Sequence, residues 1–412
     1  MIPFPELKEP VKMPPVKSIA PVRVASIDIV RALTMVLMIF VNDLGSLKNI
    51  PLWLEHVEPG IDGIGLADVV FPAFLFIVGL SLPFAVDNRR KKGDTQWQLV
   101  GHVLVRTIAL LVMGVFLVNG ETINVAATGM PGYAWYSLSC FSFILIWNSY
   151  PKQANRYAIF AIKAVGIITL LILAFVYRGG DDGQSNRFAP QWWGILGLIG
   201  WAYLAAGLVT IFSKNNLLII LGAWMFFCIL SIVYKAGYIP KDSFISFIPS
   251  AILGGTLTGL TMGGVLTSWL FRYFRKRNEN VKMTMLFVAF AALLIILSVI
   301  TRPYWKLAKL GATPAWLFLC SAFTLLAFTL VYWVADVKRK AKWFSIIRPA
   351  GTDTLLCYLI PYFLYAIIRV ANFHWPDVII TGGVGLAKSL GLALLCVLIT
   401  ALLNKSGVKL KL

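Results

Sequence analysis

The chain has 412 residues, 59% of them hydrophobic, with a mean hydropathy of +0.80 and a formal net charge of +19. Soluble domains are about 45–50% apolar, so this balance excludes a soluble globular protein. Apolar runs of membrane-crossing length recur along the chain, so the surplus of Lys and Arg is read as the loop charge of a polytopic membrane protein, not as a nucleic-acid surface.

In chain order, residues 1–25 are proline-rich and lack an apolar core, which predicts a cytoplasmic arm rather than a cleavable signal. Twelve spans follow, at 27–44, 66–86, 103–119, 133–149, 157–177, 192–212, 216–234, 247–271, 283–301, 313–334, 353–371 and 381–403. The expected fold class is therefore an all-α, polytopic helix bundle: one transmembrane domain over 26–404, with a short tail at 405–412. Outside the spans, 24 Lys and Arg fall on the side of the arm and 9 on the other, which puts both termini in the cytoplasm. The five cysteines all lie inside apolar runs without metal spacing, and are read as small buried hydrophobes. No metal is expected.

Span 1 opens with Asp28 and Arg31, three apart and so able to pair on one helical face. It ends in Asn42-Asp43, a step suited to a helix C-terminus or turn. The loop at 45–65 carries His56 between Glu55 and Glu58, and Asp68 opens span 2. A chain that returns beside span 1 can bring Asn42, His56 and Asp68 together at one depth. A carboxylate bonded to one ring nitrogen would make His56 a general base, whereas a solvated loop histidine and a plain N-cap aspartate are the bland alternatives. His102 falls at the cytoplasmic mouth of span 3, and His374 among interfacial aromatics. In span 2, Pro72, Pro83 and Gly79 permit kinks and close helix approach. Span 8 carries the stripe Gly255, Gly259, Gly263, which is either packing or the wall of a groove for a thin substrate arm. In "RPAGTD", Arg348 precedes a helix start that Thr352 or Asp353 would cap, offering exposed amides to an anion.

The order "SIDIVRA…FVND…LEH…LADVVFPAFLFIVG" resembles the heparan-alpha-glucosaminide N-acetyltransferase-like transmembrane acyltransferases, and more narrowly their bacterial relatives associated with N-acetylglucosamine. The likeness is strongest over 24–86 and returns in weaker form at 192–204, in span 8 and over 309–362. It implies transfer of an acetyl group from cytosolic acetyl-CoA to the amine of an amino sugar at the opposite face. It implies His56 as the catalytic residue, with Asn42 and Asp68 at matching positions. Asp43 and Glu55 become the expected substrate-binding carboxylates, and Arg348, Gly255, Gly259 and Asp353 the expected contacts of acetyl-CoA. Ala32 stands where relatives often have Gly, Asp353 where an Asn is common, and spans 4 and 5 look like an addition to a ten-helix core.

The partners expected are thus acetyl-CoA, an amino sugar and the lipid bilayer, with no nucleic acid; a homodimer is left open. The expected location is a bacterial inner membrane. A transporter for an amino sugar or its N-acetyl form is the alternative, supported by the span count and opposed by the lack of a repeat between halves.

Overall fold

The computed structural model describes residues 24–151, 153–181, 186–240 and 244–412. The expected cytoplasmic arm lies outside the described residues except for Val24 and Ala25. Twelve helices of 16 to 26 residues coincide with the expected spans: α1 (Ala25–Asp43), α2 (Leu66–Lys91), α3 (Gln96–Glu121), α4 (Gly132–Trp147), α5 (Arg156–Val176), α6 (Gly194–Phe212), α7 (Leu217–Lys235), α8 (Thr256–Lys276), α9 (Asn280–Thr301), α10 (Pro314–Tyr332), α11 (Thr354–Val370) and α12 (Gly382–Lys405). Among the described residues, nine segments are long and apolar enough to cross a membrane; α4 and α11 are shorter apolar helices. The chain is an integral, multi-pass membrane protein. With no water in the bilayer core, backbone N–H and C=O groups must pair within each segment, and only helices do this one span at a time.

The long helix missing from the nine is α8, the least apolar of the twelve. Every residue from Gly255 to Ser268 is nonetheless buried. The helix is sheathed by α2, α6, α7, α9 and α10, so it meets protein rather than lipid and needs no apolar exterior. Two of its hydroxyls turn back to its own backbone, Thr261 donating to the Leu257 carbonyl and Thr267 to the Gly263 carbonyl, while that of Thr256 donates to the Ala312 carbonyl. The α2–α8 contact is backbone on backbone. A Cβ on Gly79 would lie 1.8 Å from the Thr261 carbonyl oxygen, and one on Gly264 would lie 1.9 Å from that of Phe76. Close approach of this kind is how small residues hold membrane helices together.

Outside that centre, α1 packs on α2, α10, α11 and α12, while α5 packs on α4. Only Gly166, Leu170 and Leu173 of α5 are buried, so this helix lies at the edge of the bundle. All five cysteines are buried and free, as their apolar setting predicts.

Long-range polar contacts tie the ends of the bundle. After α10 a wider turn, Trp333–Val337, carries Asp336 over the start of α1, where its carboxylate accepts from the backbone N–H of Ala25 and Ser26 at 3.2 and 2.8 Å. Such a cap satisfies donors that an α-helix leaves free at its first turn. Arg31 pairs with Asp28 at 3.2 Å, as their spacing predicts, and also donates to the Ser81 hydroxyl and the Gly351 carbonyl. The tail is docked: Ser149 N–H donates to the Lys409 carbonyl and Lys411 N–H to that of Trp147. At the opposite end of α1, the loop 44–65 meets the segments 302–313 and 371–381, and these three loops frame the site.

Candidate functional site

Two stretches of chain far apart in sequence, residues 52–68 and 302–316, build one polar cluster. The first is the loop before α2 with the start of that helix. Gly65 is extended before the helix, and Asp68, in the first turn, reaches back so that one carboxylate oxygen accepts the Gly65 N–H at 3.1 Å. The same oxygen accepts the Val57 N–H at 3.1 Å, which pins the loop 52–65 to the helix start. The other oxygen lies 2.7 Å from His56 Nδ1. Asp68 therefore caps the helix and binds the imidazole together; the two readings of this residue are one arrangement. Its side chain is 4% exposed and that of His56 49%, so the carboxylate is sheltered while the ring faces outward from it.

With Asp68 ionised and accepting two backbone N–H groups, its free oxygen takes the Nδ1–H of the neutral ring, leaving Nε2 as the ring's acceptor. The tautomer follows from this network, since ring hydrogens are assigned from partners.

Gly65 sets how closely the loop lies. A Cβ there would fall 1.8 Å from the Glu55 carbonyl oxygen and 3.3 Å from that of Trp53. Only glycine admits this approach, and it fixes His56 beside Asp68. Gly65→Ala is expected to displace the imidazole from its carboxylate and, in any reaction that uses this ring, to lower turnover by about 10²-fold. Steady-state rates of the folded variant check this, and an unchanged rate would show that the loop tolerates the shift.

The second stretch is the segment 302–313 with the start of α10. The Leu307 N–H donates to Asp62 at 2.8 Å, Arg302 pairs with Asp62 at 3.0 Å, and the Gly63 N–H donates to the Leu307 carbonyl. The Leu307 N–H, with Arg302 and Lys306 nearby, pulls the Asp62 carboxyl below its ordinary value, against the opposing effect of burial, so this clasp stays charged. Thr313 caps α10, and Trp316 Nε1 in its first turn donates to the Asp68 backbone carbonyl at 3.0 Å. These contacts bring Lys309 over the imidazole, its Nζ 3.3 Å from both Nδ1 and Nε2. Burial pushes the Lys309 ammonium down from its ordinary value, while the Asp68 charge pulls the other way. Sequence reasoning missed Lys309, counting it only among the loop cations, because 253 residues separate it from His56.

The structure treats the other expected residues differently. Asn42, in the last turn of α1, is exposed and lines a cavity of about 140 Å³ with Ile39, Tyr358, Pro361, Tyr362 and Tyr365. The cavity's other walls come from α1 and α11, and His56 is not among its lining residues. Asp43 is buried and engaged within the fold: it accepts from Lys388 at 2.7 Å, Ser389 at 2.5 Å and Tyr365 at 2.9 Å. A carboxylate so used joins α1 to α11 and α12 and has no free face for a substrate. Glu55 is half-buried, and its carbonyl forms the ceiling over Gly65.

Of the residues expected to contact acetyl-CoA, Gly255 and Gly259 have neighbours where a groove was expected. A Cβ on Gly255 would meet the Phe227 carbonyl oxygen at 2.4 Å, and one on Gly259 would meet Leu317 Cδ1 at 2.8 Å. These glycines seat α8 against α7 and α10. Gly255 also has φ +70°, which glycine adopts without strain. Asp353 makes no side-chain cap; its carboxylate accepts from Asn404 of α12 at 2.9 Å. Arg348 is exposed at the start of a one-turn helix, Arg348–Thr352.

Residues 23–255 match the family described as "Domain of unknown function (DUF5009)". Two curated relatives are similar over a shorter stretch, both named heparan-alpha-glucosaminide N-acetyltransferase. The Homo sapiens protein is 32% identical over 103 residues, 25% of this chain and 15% of that protein. The Mus musculus protein is 34% identical over 98 residues, 24% of this chain and 14% of that protein. The matched stretch thus spans about a seventh of the length of those relatives.

Proposed function

The chain belongs to the DUF5009 family, and from that premise we propose that it is a membrane-embedded N-acetyltransferase, moving an acetyl group from acetyl-CoA to the amine of an amino sugar. The observation that carries this reading is the sheltered Asp68 carboxylate 2.7 Å from His56 Nδ1, with the Nε2 side of the ring turned out from it. The names of the two similar proteins supply the reaction class and the acceptor type.

Transfer of an acyl group to an amine needs a base for the amine proton and positive or hydrogen-bonding groups for charge that forms on the carbonyl oxygen. His56 Nε2 takes the proton. Asp68 holds the ring in the required tautomer and stabilises the imidazolium that forms. The cavity lined by Asn42 and three tyrosines offers a polar residue and ring faces suited to a sugar. The Lys and Arg bias puts the His56 end away from the cytoplasm, so the acceptor meets His56 at the face opposite the donor's entry, in a bacterial inner membrane.

Purified protein in detergent, given acetyl-CoA and glucosamine, is expected to yield N-acetylglucosamine and free CoA thiol in equal amounts. Sugar uptake into sealed vesicles without an acetyl donor, with no thiol release in detergent, would favour the transporter and overturn this reading.

A further inference from the structure

The least expected contact at the site is that of Lys309. Its ammonium sits equally close, at 3.3 Å, to both ring nitrogens of His56. Nothing in the base-and-orienter pair requires a cation there. A positive charge beside an imidazole opposes the imidazolium that a base must become, so a plain histidine–carboxylate pair would be better without it. Lys309 is nevertheless held firmly. It lies two residues after Leu307, whose N–H and carbonyl are both bonded to the loop at Asp62 and Gly63. Among the described residues, the charged groups in contact with His56 are Asp68 from α2 and Lys309 from the segment 302–313. Arg302 and Lys306 are spent on Asp62 and on the Gly60 carbonyl. Asn42 lines the tyrosine cavity.

We propose that Lys309 is a catalytic cation, placed to stabilise the oxyanion that forms on the thioester carbonyl as the acyl group passes beside His56 Nε2. This inference rests on the acetyltransferase reading above and deepens it. The amine nitrogen forms a bond to the carbonyl carbon, and the C=O π pair moves onto oxygen. The amine proton goes to His56 Nε2. The oxyanion then reforms the carbonyl, the C–S bond breaks, and the sulfur leaves with the bond pair and takes the proton back from His56. Products are the amide and the CoA thiol, with atoms and charge balanced. A group hydrogen-bonded to Nε2 falls within reach of an ammonium 3.3 Å from that same atom. The cation that burdens a resting imidazole therefore offsets the negative charge present only in the tetrahedral state, which is the condition for raising turnover rather than affinity.

The test is steady-state kinetics of Lys309→Met and Lys309→Arg beside His56→Ala, with acetyl-CoA binding measured by equilibrium dialysis and folding by thermal unfolding in detergent. Lys309→Met is expected to lower kcat by about 10²–10³-fold, the usual loss of one oxyanion donor. Its acetyl-CoA affinity and unfolding midpoint are expected to stay at the parent values, and Lys309→Arg, which keeps the charge, to recover part of the rate. Wild-type kcat in Lys309→Met while His56→Ala is inactive would overturn the inference and leave the acetyltransferase reading standing. A rate loss matched by lost acetyl-CoA binding or a lower unfolding midpoint would also overturn it, since a loop prop would give that pattern. Full activity in both His56→Ala and Lys309→Met would remove the underlying reading as well.

Discussion

His56→Ala is expected to lower acetyl transfer by about 10²–10⁴-fold, the contribution of a positioned general base, while leaving folded protein in the membrane. The fold should survive because His56 is half-exposed and props nothing. Asp68 would keep its two backbone donors, the N–H groups of Val57 and Gly65, so the start of α2 and the loop stay joined. The comparison to make is turnover of purified wild-type and variant protein at matched detergent and acetyl-CoA, with the unfolding midpoint as the control. Near-normal turnover in a folded variant would remove His56 from the chemistry.

Asp68→Asn is expected to cost as much in rate, for a different reason. An asparagine would direct its carbonyl oxygen to the Val57 and Gly65 N–H groups, because two donors already converge on that position. Its amide NH₂ would then face His56 Nδ1 and donate to it. That forces the proton onto Nε2, the atom that must accept, so the base is present in the wrong tautomer. A loss of about 10²–10⁴-fold in kcat follows, with the acetyl-CoA KM little changed, as when the orienting carboxylate of a catalytic triad is made an amide. Asp68→Ala differs: it leaves two sheltered N–H groups unpaired and is expected to lower the unfolding midpoint too. A variant Asp68→Asn with wild-type kcat would mean that the carboxylate serves only as a helix cap.

Twelve spans were legible because most are apolar runs of membrane length bounded by charge or proline; the structure moves most of their ends by a few residues but starts α3 at Gln96 instead of 103 and α8 at Thr256 instead of 247. The His56–Asp68 pair was legible because both residues lie within one loop and the next helical turn, where local spacing is informative. What the sequence hid is long-range. Lys388 and Ser389, the partners of Asp43, lie on the twelfth helix, 345 and 346 residues away, so an engaged structural carboxylate read as a free one. Lys309 stood in a run of ordinary loop cations, and only the bonds from Asp62 and Gly63 to Leu307 bring it over the ring. The glycine stripe of α8 gave no sign of whether its open side faced a groove or another helix; the neighbours of Gly255 and Gly259 decide for the helix. Asn42 was rightly noticed as polar at a helix end, but the wall of tyrosines opposite comes from α11, which no local spacing connects to it.

The sheathing of α8 by five other helices has a consequence for biogenesis. A segment rich in glycine and threonine gains little free energy by entering lipid alone, since partition into the bilayer tracks apolar side chains. Two of its neighbours, α9 and α10, are made after it. During synthesis this segment must therefore wait beside α2, α6 and α7, or in a sheltered environment of the insertion machinery, until the remaining wall arrives. The middle of the molecule is thus completed late, by closure around a strand of chain that could not have entered the membrane on its own account.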